Sequence, residues 1–416
     1  MLESLLLIVG TYCSCALAVH AAYLLNRKDA KSRPRHLVLI THNQQHRVEW
    51  VLRSFMLLSW LKGKAVRLTV FDCGSTDDTA AIVAGLGLPN VRLISIPNGG
   101  KANALNVGIA HASHDIIVMV DGDTVLEPDS LRTLVQPFAD PRVGGVAGNV
   151  KVSNRRGLIG KWQHIEYVIG FNLDRRLFEL LQCMPTIPGA IGAFRRQALR
   201  DVGGVSDRTL AEDTDLTMAI IRAGWQVVYE ERARAWTEAP HTLRQLWRQR
   251  YRWSYGTMQA MWIHRGAIRD RGPSGRFGRI GLPFLAAFGV VFPLLAPIVD
   301  VMTIYGLAVS GDLTAGVAWL AMLGLQLFTA VIAFRLDRES LRPLWSLPLQ
   351  QFVYRQLLYI VLVRSVAAAL AGVALRWHKL QRTGAAAAHA SGVGSGTPGL
   401  SPRQHDGRSV MSVRTP

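Results

Sequence analysis

Short apolar runs alternate with stretches of helical periodicity through the first half of the chain. His36–Ile40, Val66–Asp72, Val91–Ile96 and Ile116–Asp121 read as buried strands with helices between them. Asn149–Cys183 reads as a strand followed by a long amphipathic helix that buries Trp162, Ile165, Val168, Ile169 and Leu173, and Gln226–Glu231 as a further strand. This alternation predicts an α/β fold with a doubly wound, mostly parallel sheet, whose ligands bind outside the carboxyl ends of the strands.

The flanks follow a different pattern. Ser4–Leu25 is apolar, free of charge and long enough to cross a bilayer. Ala16-Leu-Ala18 resembles a signal-peptide cleavage site, yet Glu3 precedes the run and Arg27, Lys28, Lys31, Arg33 and Arg35 follow it. That asymmetry predicts an uncleaved anchor with its C-terminal side, and everything from about residue 36, in the cytoplasm. His241–Gly266 is a basic, tryptophan-rich amphipathic helix suited to an anionic lipid surface. Gly281–Val299 continues past Asp300 to Gly311, kinked by Pro283, Pro293 and Pro297, and Leu313–Phe334 is a second span. Gln356–Leu375 is a third, interrupted by Arg364, which marks either an interfacial helix or a group facing a polar path. Four spans would carry the tail outward, whereas Arg376, Lys379 and Arg382 favour the inside, so one C-terminal segment is expected to lie flat. From Thr383 onward Ala, Gly, Ser and Pro predict a disordered tail. The expected organisation is an anchor and basic linker (1–35), a cytosolic catalytic domain (36–240), interfacial helices (241–279), a membrane region (280–376) and a basic tail (377–416).

Composition narrows the partners. Among 416 residues, 47 Lys and Arg face 29 Asp and Glu, a net charge of +18. Much of the excess lies beside apolar runs, which fits membrane lipid and an anionic substrate, and no nucleic-acid recognition motif accompanies it. Cys13, Cys15, Cys73 and Cys183 have neither disulfide-framework nor zinc-ligand spacing.

The chemistry is concentrated at predicted strand ends. Asp72-Cys-Gly-Ser-Thr-Asp77 puts an acid where it could hydrogen-bond a nucleoside, and Asn98-Gly-Gly-Lys101 offers a turn, a lysine and a helix N-terminus suited to phosphate. Asp121-Gly-Asp123 is either a plain turn or an open acidic tip for Mg²⁺ or Mn²⁺ on a diphosphate. Thr209-Leu-Ala-Glu212-Asp213-Thr-Asp215 opens an amphipathic helix; its acids either complement the helix dipole or line a cleft. Gln249-Arg-Tyr-Arg252-Trp253 joins an aromatic plane that can stack on a sugar to an arginine that can grip a diphosphate. Ile187–Arg196 reads as a small-residue loop where backbone approaches a sugar.

Taken in order over about residues 36–385, these motifs resemble the processive inverting glycosyltransferases of the cellulose, chitin, hyaluronan and poly-N-acetylglucosamine synthase group, glycosyltransferase family 2. Ile191-Gly-Ala-Phe-Arg-Arg196, Arg252-Trp-Ser-Tyr-Gly256 and Trp377–Gly384 look most like the bacterial poly-β-1,6-N-acetylglucosamine synthase branch. The resemblance implies a GT-A-like sheet, a UDP-sugar donor (UDP-N-acetylglucosamine foremost), a growing polysaccharide acceptor, a Mg²⁺ or Mn²⁺ cofactor, and room for a small accessory membrane subunit. It assigns Asp72 and Lys101 to the nucleotide, Asp121 to ribose or metal, Asp123 to the metal, and Asp213 to the general base beside Glu212. It gives Gln249, Arg252 and Trp253 to the diphosphate and the acceptor.

The chain departs from the family pattern in three places. Thr41-His-Asn43-Gln44 stands for the usual Ala-Tyr-Asn-Glu, Cys73 for a second aspartate, and Ala211 for a threonine before the acid pair. Two other readings are single-sugar transfer to a membrane lipid and a catalytically silent polysaccharide-export subunit; the Gln249–Trp253 motif argues against the first, and the intact Asp121, Asp123 and Asp213 against the second.

Overall fold

The computed structural model describes residues 36–41, 67–87, 91–311 and 313–371. The anchor expected at Ser4–Leu25, the departures at residues 42–44 and the tail lie outside them. Eight strands form one sheet: β1 (His36–Thr41), β2 (Arg67–Cys73), β3 (Val91–Ile96), β4 (Ile116–Asp121), β5 (Val125–Leu126), β6 (Val143–Val152), β7 (Gly192–Arg195) and β8 (Gln226–Thr237). Their order is β3-β2-β1-β4-β7-β6-β8-β5. β1 pairs in parallel with β2 and β4, β2 with β3, and β6 with β8, while β7 runs antiparallel between β4 and β6. Ile116–Val120 of β4 is buried throughout, which is why its sequence is a continuous apolar run: helices cover both faces.

The helices that matter for the site are α1 (Thr79–Gly85), α2 (Gly100–His111), α3 (Gly157–Val168), α4 (Glu212–Arg222) and α5 (Leu243–His264). Three expectations need correction. β6 begins at Val143 rather than near Asn149, and every one of its residues is buried. Its glycines dilute the strand pattern because the space is taken: a Cβ at Gly144 would lie 2.6 Å from Trp225 Cβ, and one at Gly148 2.7 Å from Ile191 Cγ2. The presumed loop ends in a strand, β7, whose Gly192 admits Ile187 against the backbone. The single long helix after β6 is broken into α3, a π-helical turn over Ile169–Leu173 and a short helix, Asp174–Leu180.

Beyond α5 the longest helices are α6 (Gly272–Ala308), α7 (Leu313–Leu336) and α8 (Tyr354–Leu370). The first two are long and apolar enough to cross a membrane, and α8 becomes a third span only if joined to 342–352 across a 52° bend. α6 contains π-helical turns at Phe277–Gly281 and Ala287–Val291. Each surrounds the carbonyl that Pro283 or Pro293 cannot bond four residues back, whereas Pro297 sits in regular helix. Ile298, Val301, Ile304 and Leu320 are exposed apolar side chains, as expected of surfaces that meet lipid. α7 packs on the helix that follows β6: Ile165 and Val168 of α3 and Leu173 of the π-helical turn share a buried cluster with Ala330, Ala333 and Phe334 of α7.

Candidate active site

The sheet aligns its acids along one edge. Thr41 of β1 is level with Asp72 and Ile40 with Asp121, so the two aspartates stand two strands apart at the carboxyl ends. At ~4.8 Å per strand their backbones are about 10 Å apart. Asp72 is buried and accepts from the Ser75 backbone N–H at 3.3 Å and from the Ser75 hydroxyl. Gly74 turns the chain at φ +66°, pressed against the Asn98 backbone, so the loops after β2 and β3 meet.

Lys101, in the first turn of α2, is the centre of the cleft. Its Nζ lies 3.0 Å from Asp121 Oδ1 and 2.7 Å from Glu212 Oε1. Burial alone would lower its pKa, but Asp121, Glu212 and Asp213 outweigh that and raise it, so it stays charged. Gly189 closes this cluster from the loop before β7, where a Cβ would stand 2.8 Å from Lys101 Nζ and 3.3 Å from Asp121 Oδ2.

Asp213 sits beside them in the first turn of α4. Its Oδ1 accepts from the Thr214 N–H at 2.8 Å and its Oδ2 from the Gly189 N–H at 3.3 Å. The loop carrying Gly189 is fixed by Thr186 Oγ1 to Thr214 Oγ1 (2.9 Å) and by the Ile187 N–H to Thr217 Oγ1 (2.8 Å). Burial, then the Glu212 carboxylate, raise the Asp213 pKa against the pull of Lys101 and the two N–H donors. A carboxylate with raised pKa, held at a cleft, has the character of a general base. Asp215 does not: buried, it bonds His264 Nε2 at 2.8 Å and Arg208 Nη2 at 3.4 Å, and these bonds overcome burial to lower its pKa.

α5 lies against this acid loop because Gly256 has no side chain; a Cβ there would be 2.6 Å from Ala211 N. Tyr167 and Phe171 stand 6.4 and 5.8 Å from the partly buried Trp253. Gln249 is buried, its Oε1 accepting from Arg250 Nη1 at 2.5 Å. Among the described residues Arg252 has no hydrogen bond or ion pair, while Arg250, not singled out from the sequence, is buried 4.3 Å over the Trp253 ring. Glu166, Tyr354, Asp300 and Arg355 were also missed: their partners are 55 to 188 residues away, and no local pattern announces them. Arg364, the arginine noticed in that span, is exposed, while Arg355 bonds Asp300.

Among the described residues, no three His, Cys, Asp or Glu side chains form a metal cage. Asp123, buried in the turn after β4, and Asp121 beside it offer hard oxygens at an open edge. Such a donor set suits Mg²⁺ or Mn²⁺ that takes its other ligands from water and phosphate.

The description "Glycosyl transferase family group 2" matches residues 116–378. The poly-beta-1,6-N-acetyl-D-glucosamine synthase of Staphylococcus aureus (strain COL) is 32% identical over 222 residues, 53% of this chain and 53% of that protein. The Staphylococcus epidermidis protein of the same name is 30% identical over 251 residues, 60% of this chain and 59% of that protein. The chain therefore spans little more than half the length of these curated relatives. Among solved structures, the mannosyltransferase PcManGT from Pyrobaculum calidifontis, in complex with GDP-Man and Mn²⁺, superposes with a TM-score of 0.55 at 20% identity, covering 89% of this chain and 99% of that one. That likeness is one of fold.

Proposed function

The chain belongs to glycosyl transferase family group 2, and from that premise we propose that it is a membrane-embedded inverting glycosyltransferase, polymerising a UDP-sugar, UDP-N-acetylglucosamine foremost, into a β-linked polysaccharide that it passes into the membrane. One observation carries the reading: Asp213 is held beside the Lys101–Asp121–Glu212 cluster at the edge of the sheet, with Trp253 on the adjoining helix. The names of the staphylococcal relatives support the sugar and the polymer, and the manganese in the mannosyltransferase complex supports a divalent cation.

In this mechanism Asp72 holds the nucleoside and Lys101 turns from its carboxylate partners to the diphosphate. A divalent cation on Asp123 would neutralise charge on the departing diphosphate. Asp213 takes the proton of the acceptor hydroxyl as that oxygen attacks C1 from the face opposite UDP, which inverts the anomeric centre. Trp253 stacks on the acceptor sugar and Arg252, partly exposed and with no ion pair among the described residues, is available to the leaving group. The catalytic domain, residues 36–240, lies in the cytoplasm in this reading, with α6, α7 and α8 in the membrane. Incubating membranes containing the protein with a panel of radiolabelled UDP-sugars and sizing the products tests it. Label from one UDP-sugar in a high-molecular-weight product supports polymerisation, label confined to lipid identifies single-sugar transfer, and no incorporation from any donor overturns both.

A further inference from the structure

Arg250 is a buried charged side chain beside the acceptor shelf, and no role in the chemistry has been given to it. Its Nη1 donates to Gln249 Oε1 at 2.5 Å and its Nη2 to Glu166 Oε2 at 2.6 Å. Its guanidinium carbon lies 4.3 Å from the Trp253 ring centroid and 5.9 Å from that of Tyr167. Glu166 Oε2 also accepts from the hydroxyl of Tyr354, the first residue of α8, and Arg250 Nη2 is 3.4 Å from that oxygen. The Tyr354 ring is buried among Trp162 and Leu246, and Trp162 is itself pinned by its Nε1 to the Ser346 carbonyl at 3.0 Å. α5 packs along α8 beside this cluster.

We propose that Arg250, Glu166 and Tyr354 form a clamp that positions Trp253 and ties the acceptor shelf to the membrane helix α8, so that the chain end is held in line with its path into the membrane. The clamp rests on the acceptor role given to Trp253 above. A guanidinium stacked on an indole fixes the plane of the ring, and its remaining N–H groups need acceptors that cannot drift. Glu166 supplies one, and because the same oxygen is bonded by Tyr354, any movement of α8 relative to α3 is felt at the shelf. Arg250 is thus a positioning residue: it touches neither donor nor acceptor and acts through Trp253.

The test uses purified full-length protein in nanodiscs, with the variants Tyr354→Phe, Glu166→Gln, Arg250→Lys and Arg250→Gln. Product length, initial transfer rate, UDP-sugar hydrolysis and UDP affinity are measured together. Loss of one charge-assisted bond is expected to shift retention of the chain end about tenfold. Tyr354→Phe and Glu166→Gln should therefore give markedly shorter polymer with UDP affinity and donor hydrolysis unchanged. The double variant Tyr354→Phe with Glu166→Gln should be no worse than Glu166→Gln alone, and Arg250→Lys should retain more length than Arg250→Gln. Unaltered product length in both Tyr354→Phe and Glu166→Gln overturns the clamp, as does a parallel fall in length and UDP affinity, which is the mark of general damage. A wild type that hydrolyses UDP-sugar yet makes no polymer overturns the polymerase reading and the clamp with it. Normal wild-type polymer beside unaffected variants overturns the clamp alone.

Discussion

Replacing Asp213 by asparagine separates a catalytic carboxylate from a helix-capping one. The amide keeps the size of the side chain, and its oxygen can still accept from the Thr214 N–H, a 2.8 Å bond. What is lost on the structural side is the longer 3.3 Å bond from Gly189, a cost of at most ~1 kcal/mol. Against it stands the relief of removing a carboxylate whose pKa burial and Glu212 raise. An acid whose folded pKa lies above its unfolded value costs stability as pH rises from the unfolded pKa through the folded one. At neutral pH the Asp213→Asn protein is thus expected to melt no lower than wild type. Its transfer rate should fall by ~10²–10⁴, roughly 3–5.5 kcal/mol of barrier, while UDP affinity is retained. The same shift predicts that the acid limb of the wild-type rate profile lies above the ordinary carboxylate range, transfer falling as pH drops and Asp213 takes up a proton. Glu212→Gln, which removes the second cause of the shift, should move that limb to lower pH. The assay is polymer synthesis across pH beside UDP binding and thermal melting. More than about a tenth of wild-type transfer in Asp213→Asn would refute the assignment. Glu212 then becomes the candidate base, since Asp215 is committed to His264 and Arg208.

Trp253→Ala should lose polymer yet keep UDP-sugar hydrolysis, because stacking on the acceptor is removed while the donor site remains; unchanged yield and length in a gel-filtration assay would contradict the acceptor role. Chelation with excess EDTA is expected to abolish transfer and added Mn²⁺ or Mg²⁺ to restore it, whereas full turnover in EDTA would remove the metal from Asp123. Single cysteines placed at exposed positions of residues 36–240 should resist a membrane-impermeant thiol reagent in intact cells and react after lysis, and labelling of intact cells would reverse the proposed topology.

The parts of the fold legible in the sequence are those where one residue pattern has one structural meaning. β3 and β4 both have the expected bounds, and for β4 the reason is that a strand covered on both faces must be apolar throughout. The first part of β6 and all of β7 escaped because close packing put glycine at Gly144, Gly145, Gly148 and Gly192, and glycine reads as loop. The cluster was legible because its positions follow from a strand end and two helix starts: Asp121 closes β4, Lys101 opens α2, Glu212 and Asp213 open α4, and the four come together. Within Gln249–Trp253 the two arginines look equivalent as text. Helical geometry distinguishes them: Leu246, Gln249, Arg250 and Trp253 recur at spacings of three and four on the inward face, and Arg252 falls off it. That periodicity was available and would have identified Arg250 as the buried one. Its partners Glu166 and Tyr354 were not available, since contacts over such separations depend on tertiary packing.

A second polar joint, on the other side of α3, shows what such contacts contribute. Lys151 of β6 is 2% exposed and pairs with Asp337 and, at 3.3 Å, with Glu339, just beyond the end of α7. Arg155 meets Glu339 at 2.8 Å, and Asn149 donates to Asp337 at 3.0 Å. Intact buried pairs add little net stability, but removing one partner costs ~3–5 kcal/mol because the other charge is left behind. Lys151→Met is therefore expected to lower the melting temperature by roughly 6–20 °C. Burial works to raise the Glu339 pKa, but Arg155 and Lys151 hold it at about 2, while burial and Arg155 keep His164 neutral with its pKa at about 3. Both values lie below those of the unfolded chain, so their contributions are present at neutral pH and are lost as pH falls below the ordinary histidine and then glutamate values. Wild type in detergent should lose melting temperature steadily on acidification, and Lys151→Met, with Glu339 less depressed, should start lower and lose less. Equal melting temperatures for the two proteins at neutral pH would mean that breaking the joint costs nothing, and the stability of this contact would then rest on packing such as the Ile165–Phe334 apolar cluster between α3 and α7.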